Sequence, residues 1–317
     1  MAMMNVSLKS PKDLDGGNTV GALPLVSVVV ATYQRDSALE KALLSLMRQT
    51  YEPIEIVVID DNAEMKWNQK VDDIICNINK KFHRQIVYIK NEVNKGSAET
   101  RNIGIKTASG KYITFLDDDD IYLANKIEEQ IIPMIKSNSD YSITDLKLYN
   151  EAGKLIDTRR REYVRSTEKE DLIRYHIMYH ITGTDTMMFK KSYLIKIGGF
   201  PKIDIGDEFY LMERAIMAGG KFLYLNHCNV KAYVHSTTDG LSSGDTKISG
   251  ENQLYQYKKT FFDRLTKADI RYIKARHYAV LAFAELRRKK KTRFVKYSLF
   301  AFLSGPVSCA KVVKNMR

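Results

Sequence analysis

The residues of this sequence best placed to do chemistry are acidic and clustered: Asp60-Asp61, Asp117-Asp118-Asp119-Asp120 and Asp207-Glu208. Four successive aspartates repel one another unless a cation sits among them, and carboxylate oxygens are the hard ligands that Mg2+ and Mn2+ take. No GxGxxG or GxxxxGK[ST] loop follows the first strand-like run, so a bound diphosphate would need that cation for neutralisation. The three cysteines, Cys76, Cys228 and Cys309, form no CxxC pair. That spacing argues against a structural zinc or a disulfide framework and fits a reducing cytoplasm.

The elements that must position these carboxylates follow from periodicity. Leu25 to Ala31 is a β-branched run after Pro24 and predicts a strand buried on both faces. Ser37 with Glu40 forms a capping box, and Leu39, Ala42, Leu43 and Leu46 repeat at helical spacing. Further strands are predicted over 54–59, 85–89 and 111–116, with helices over 68–81 and 97–107 between them. Alternating strands and helices imply βαβ units and a largely parallel sheet, which binds ligands at the carboxyl ends of its strands. Residues 32–35, 60–62 and 117–120 then share one edge. Farther on, Asp140 to Asp157 reads as extended structure with a turn at Gly153, and Arg159-Arg160-Arg161 as a solvated loop.

Five segments taken in order resemble the family 2 glycosyltransferases of GT-A fold: 26–33 (VSVVVATY), 58–61 (VIDD), 96–104 (GSAETRNIG), 110–120 (GKYITFLDDDD) and 198–200 (GGF). The resemblance covers residues 24 to 235 and implies an α/β nucleotide-binding fold with a mainly parallel, mixed central sheet. It also implies inverting transfer of a sugar from a UDP-sugar, assisted by Mn2+ or Mg2+, to a saccharide or lipid-linked acceptor in cell-surface or secreted polysaccharide synthesis.

Residue by residue, the resemblance implies that Asp119 and Asp117 are metal ligands, with Asp117 or Asp118 near the ribose. It sets Tyr33 beside the uracil ring, Asp61 on the base and Thr32 as an added contact; a carboxylate can accept the uracil N3 proton. Arg101 would neutralise phosphate or fix Asp61. The segment from Gly206 to Arg214 matches an acidic motif whose catalytic acid precedes the arginine by six residues, which makes Glu208 the base. Asp207 stands beside it, the reverse of the usual Glu-Asp order, and both acids also suit a helix N-terminus. His235 is implied as another metal ligand. Gly198 and Gly199 either let backbone approach a sugar or stop a helix.

The formal charge of +12 is not spread evenly: residues 251–317 carry 17 Lys and Arg against 4 Asp and Glu, leaving 33 against 34 in the rest. A neutral body with a basic, helical tail excludes a nucleic-acid-binding body and points the tail toward an anionic membrane surface or a second copy of the chain. The expected organisation is a loose leader over 1–23, a GT-A domain over 24–245 and the tail over 246–317, peripheral at the inner face of the cell membrane. No run reaches the ~18 apolar residues of a membrane span. The rival reading is a regulatory, non-catalytic nucleotide-binding protein on the same scaffold.

Overall fold

β1, Val26–Thr32, becomes the centre of a sheet covered on both faces. Val28 and Val30 lie in one core and Val29 in the other, as a strand without polar alternation requires. The computed structural model describes residues 22–84, 86–203, 206–234 and 244–315. Next to β1 run β2 (Ile54–Asp60) and β4 (Tyr112–Phe115), with β3 (Ile86–Lys90) beyond β2, all parallel. The sheet continues through β6 (Tyr141–Thr144), β9 (Met187–Lys190) and β10 (Phe222–Leu225). Its order is β10-β6-β9-β4-β1-β2-β3, and β9 is antiparallel to both neighbours, so the sheet is mixed. A smaller sheet has the order β5 (Ile121–Tyr122), β11 (Val230–Val234), β7 (Leu146–Asn150), β8 (Leu155–Arg159). Gly153, at φ +74°, turns β7 into β8.

Helices α1 (Ser37–Met47), α2 (Met65–Lys81) and α4 (Lys126–Ser137) fill one core with Leu39, Leu43, Ile75 and Ile131. The other core takes α3 (Ser97–Thr107), α5 (Lys169–Tyr179) and α7 (Asp207–Met217) through Ile105, Ile177 and Met212. A short α6, Lys191–Lys196, follows β9. α3 lies so close to β1 that a Cβ on Gly104 would fall 2.3 Å from Val29 Cγ1.

Two local expectations change. α1 is capped by Asp36, whose carboxylate accepts from the Ser37 N–H at 2.6 Å; an anion at the positive helix end supplants the Ser37 capping box. Arg161 is not solvated. It is buried, its guanidinium donating to the carbonyls of Thr144, Ile181 and Thr182 and its N–H to Asp145. The exposed Arg159 and Arg160 beside it disguise that role in the sequence.

The basic tail is four helices: α8 (Gly244–Lys259), α9 (Lys267–Arg287), α10 (Lys291–Leu303) and α11 (Pro306–Asn315). α9 opens with a reciprocal capping box between Thr266 and Asp269, and Asp269 also accepts two 2.8 Å bonds from Arg174 of α5. Tyr272, Ile273, Ala275 and Ala279 join the core shared by α3, α5 and α7. Lys258 of α8 is buried and donates to His180 Nε2 at 2.5 Å, where Arg276 of α9 also donates at 3.2 Å. Burial pushes the Lys258 ammonium well below its usual range, and its Nζ lies 5.5 Å from the Phe209 ring of α7. α8 and α9 are thus packed onto the sheet domain, and α10 and α11 rest on α9. Among the described residues no helix is long and apolar enough to cross a membrane.

Candidate active site

The carboxyl ends of β1, β2 and β4 bring the expected residues to one edge. Thr32 is buried there, donating its hydroxyl to Asp118 Oδ2 at 2.8 Å while its carbonyl accepts from the Asp61 N–H at 2.9 Å. Both polar groups thus brace neighbouring carboxylate residues of the site. Tyr33 is 47% exposed, a flat ring at the mouth, and its N–H donates to the same Asp118 oxygen. Arg35 spans Asp118 at 3.6 Å and Asp119 at 3.0 Å. Burial, then the charge of Asp119, lifts the Asp118 carboxyl to about 6.

Asp61 is buried and accepts from Asn91 Nδ2 at 2.7 Å and from the N–H groups of Lys95 and Gly96 at 2.8 and 2.9 Å. It fixes the turn that launches α3, with Gly96 at φ +79°. Arg101, one turn into α3, does not meet Asp61. It donates to Asp117 at 2.7 Å and to Asp207 at 3.0 Å, joining β4 to α7. The guanidinium also lies 5.4 Å from the Phe200 ring. Asn102 holds Phe200 in turn, donating to its carbonyl at 2.7 Å and accepting from its N–H at 2.9 Å. Gly199 has φ +63°, and a Cβ there would come 2.5 Å from Asn102 Oδ1. The double glycine therefore ends α6 and admits Asn102.

The adjacent acids of α7 differ in kind. Asp207 is buried, accepting from Arg101 on one oxygen and from the Glu208 N–H at 3.0 Å on the other. Glu208 is half-buried, and burial followed by the Asp207 charge raises its carboxyl to about 7. Asp207 is tied to a guanidinium, whereas Glu208 can exchange a proton near neutrality.

Behind Asp117 stands a second tier. Carboxylate oxygens of Asp117, Asp120 and Asp185 lie within 4.8 Å of one another. Asp185 accepts from the Asp117 N–H at 2.7 Å and Asp120 from the Tyr233 N–H at 2.8 Å. Burial raises all three carboxyls, and the charge of Asp185 lifts Asp117 and Asp120 further. An all-oxygen, anionic donor set that is costly to ionise by itself fits a hard divalent cation.

Residues 27–196 match the family model described as Glycosyl transferase family 2. The chain belongs to that family. An uncharacterised glycosyltransferase of Methanocaldococcus jannaschii is 32% identical over 202 residues, 63% of this chain and 67% of that one. The Escherichia coli UDP-Glc:alpha-D-GlcNAc-diphosphoundecaprenol beta-1,3-glucosyltransferase WfgD is 32% identical over 142 residues, 44% of this chain and 53% of WfgD. The chain thus aligns with about half of WfgD's length. Staphylococcus aureus TarS with bound UDP-GlcNAc superposes with a TM-score of 0.56 at 14% identity, covering 86% of this chain and 89% of that one. A Pyrobaculum calidifontis mannosyltransferase in complex with GDP-Man and Mn2+ gives 0.51 at 15% identity, covering 92% and 74%. The expected GT-A fold and glycosyltransferase class hold.

Within this family frame, sequence reasoning missed Asp120 and Asp185 as partners of Asp117. Asp185 is a lone acid in a Thr-Asp-Thr turn, and only the pairing of β9 with β4 brings it behind Asp117. His235 and most of the leader lie outside the described residues.

Proposed function

We propose that this family member transfers a sugar from a UDP-sugar to a hydroxyl of a saccharide or lipid-linked acceptor, with inversion, in the synthesis of cell-surface or secreted polysaccharide. The observation that carries this reading is the Arg101 bridge, which fixes the helix of Glu208 relative to Asp117 on the donor side. The UDP-Glc donor of WfgD and the UDP-GlcNAc bound to TarS support the donor class, and the diphosphoundecaprenol of WfgD supports a lipid-linked acceptor.

Tyr33 is the surface on which the base stacks, and Asp118, held by Thr32 and Tyr33, faces the ribose. Asp119 and Asp117 would hold Mn2+ or Mg2+, with Asp120 and Asp185 grouped about Asp117; the ion would neutralise charge on the leaving diphosphate. The Glu208 carboxylate accepts the acceptor's hydroxyl proton as the oxygen attacks the anomeric carbon. The bond from that carbon to the diphosphate oxygen breaks on the opposite face, and its electron pair leaves with UDP. Arg101 engages one oxygen of Asp207 and the Glu208 N–H the other, which leaves Glu208 to take the proton.

The deciding experiment is a screen of UDP release across common UDP-sugars with saccharide and lipid-linked acceptors, with and without Mn2+. Release that depends on both acceptor and sugar is expected. Tight UDP binding with no release under any pairing would favour the regulatory protein.

A further inference from the structure

The outer face of α10 is the part of the molecule that the sheet domain leaves uncovered. Phe294, Tyr297 and Ala301 lie on the side turned to α9, with Ala301 fully packed. On the opposite side Val295, Leu299, Phe302 and Leu303 are 62, 53, 53 and 68% exposed, and Val307 at the start of α11 is 71% exposed. Spacings of three, four and eight residues set the four α10 side chains within one stripe. The helical wheel puts Lys291 along one border of that stripe and Lys296 along the other, while Arg293 turns back to Glu285 of α9 at 3.3 Å. The α9–α10 turn adds exposed Lys289 and Lys290. No acid falls anywhere in residues 286–317.

We infer that this face is a docking surface for an anionic lipid bilayer, into which the α10 stripe inserts at headgroup depth with the flanking cations on lipid phosphates. The charge pattern selects this occupant. A second copy of the chain would bring an equally basic rim against this one, whereas an anionic surface complements it. Large aliphatic and aromatic side chains between cations are what interfacial helices use, and α10 at 13 residues is too short to span. Because α9 is pinned to α5 through Arg174 and Asp269, the surface holds a fixed orientation to the active site. The inference is independent of which sugar is moved.

The test is co-sedimentation of the full chain with phosphatidylcholine vesicles containing about one third phosphatidylglycerol, against pure phosphatidylcholine. Binding to the anionic vesicles is expected, weakened about tenfold or more when ionic strength rises from about 0.05 to 0.5 M. Leu299→Glu with Leu303→Glu should lower it by a further tenfold or more, and Lys289, Lys290 and Lys291 to Gln by a similar factor. Both sets of positions are solvent-exposed, and unchanged circular dichroism verifies the fold. Equal binding to both vesicle types, or no binding at low salt, overturns the proposal. So does a lipid-free dimer in light scattering that Leu299→Glu with Leu303→Glu dissociates, which would assign the face to a second copy.

Discussion

Arg101 and Arg35 each hold two carboxylates, in opposite surroundings. The Arg101 side chain is 12% exposed and that of its partner Asp207 is 8%, whereas Arg35 is 41% exposed over Asp118 and Asp119. A buried pair cannot release one member without stranding the other's charge, so it acts as a fixed strut. An exposed pair contributes little and exchanges readily for another cation. On the proposed mechanism the side holding Glu208 is thus built in advance, while Asp118 and Asp119 sit under a counter-charge that an arriving ion would displace.

That contrast can be broken or sharpened by substitution. Asp119→Asn has the largest expected effect, a loss of transfer of about 10³-fold or more with the fold intact, matched in the native protein by excess EDTA. Full activity in EDTA would remove Asp119 from the ligand set.

Glu208→Gln follows, with transfer lowered about 10²-fold or more and UDP-sugar affinity kept within a few fold. The rate of the native enzyme should climb through about pH 7 and level off above it, because the ionised carboxylate is the form that accepts a proton. Stability runs the other way. The folded carboxyl keeps its proton to about 7 while the unfolded one releases it near 4.5, so Glu208 withdraws stability as pH rises between those values. A dead Asp207→Asn beside an active Glu208→Gln would move the base by one residue.

Arg101→Met comes third. Stranding Asp207 should cost about 3 kcal/mol in urea denaturation, and Arg101→Lys should recover only part of it because one ammonium cannot reach two carboxylates as a planar fork does. An unchanged midpoint would show the strut to be dispensable.

Arg35→Ala is the smallest effect: a stability change under about 1 kcal/mol, with Mn2+ activation shifted a few fold toward lower metal concentration. Weaker activation by Mn2+ would mean that Arg35 assists the ion instead of standing in for it.

Much of the scaffold was readable because buried strands and amphipathic helices carry their burial in their own letters. The helix from Ser97 to Thr107 was legible to the residue, and the first four strands to within one. The acidic positions at the strand ends were readable for the same reason, since a parallel sheet aligns those ends. What the acids touch was not. Arg101 meets partners 16 and 106 residues away, and no local pattern encodes which aspartates a guanidinium will bridge. The bonds that Thr32 makes to Asp118, and Asp61 to Asn91, Lys95 and Gly96, were likewise not legible at the edge where the two residues sit. Arg161 shows the converse, a core residue written in surface letters.

The strand order has a consequence for how the molecule comes into being. β3, β2, β1 and β4 are neighbours in the sheet and are all complete by Phe115, whereas β9, β6 and β10 occupy the other side and come from residues 141–225. During synthesis the half made of β1 to β4 can assemble while the strand that will cover the open edge of β4 is still unmade. Arg101 and Asp117 would meet in this first stage, and Asp207 would join a guanidinium already in place. Pulse-labelled hydrogen exchange during refolding should protect amides of β1 and β2 before those of β6 and β9; simultaneous protection would mean that the two halves form as one cooperative unit.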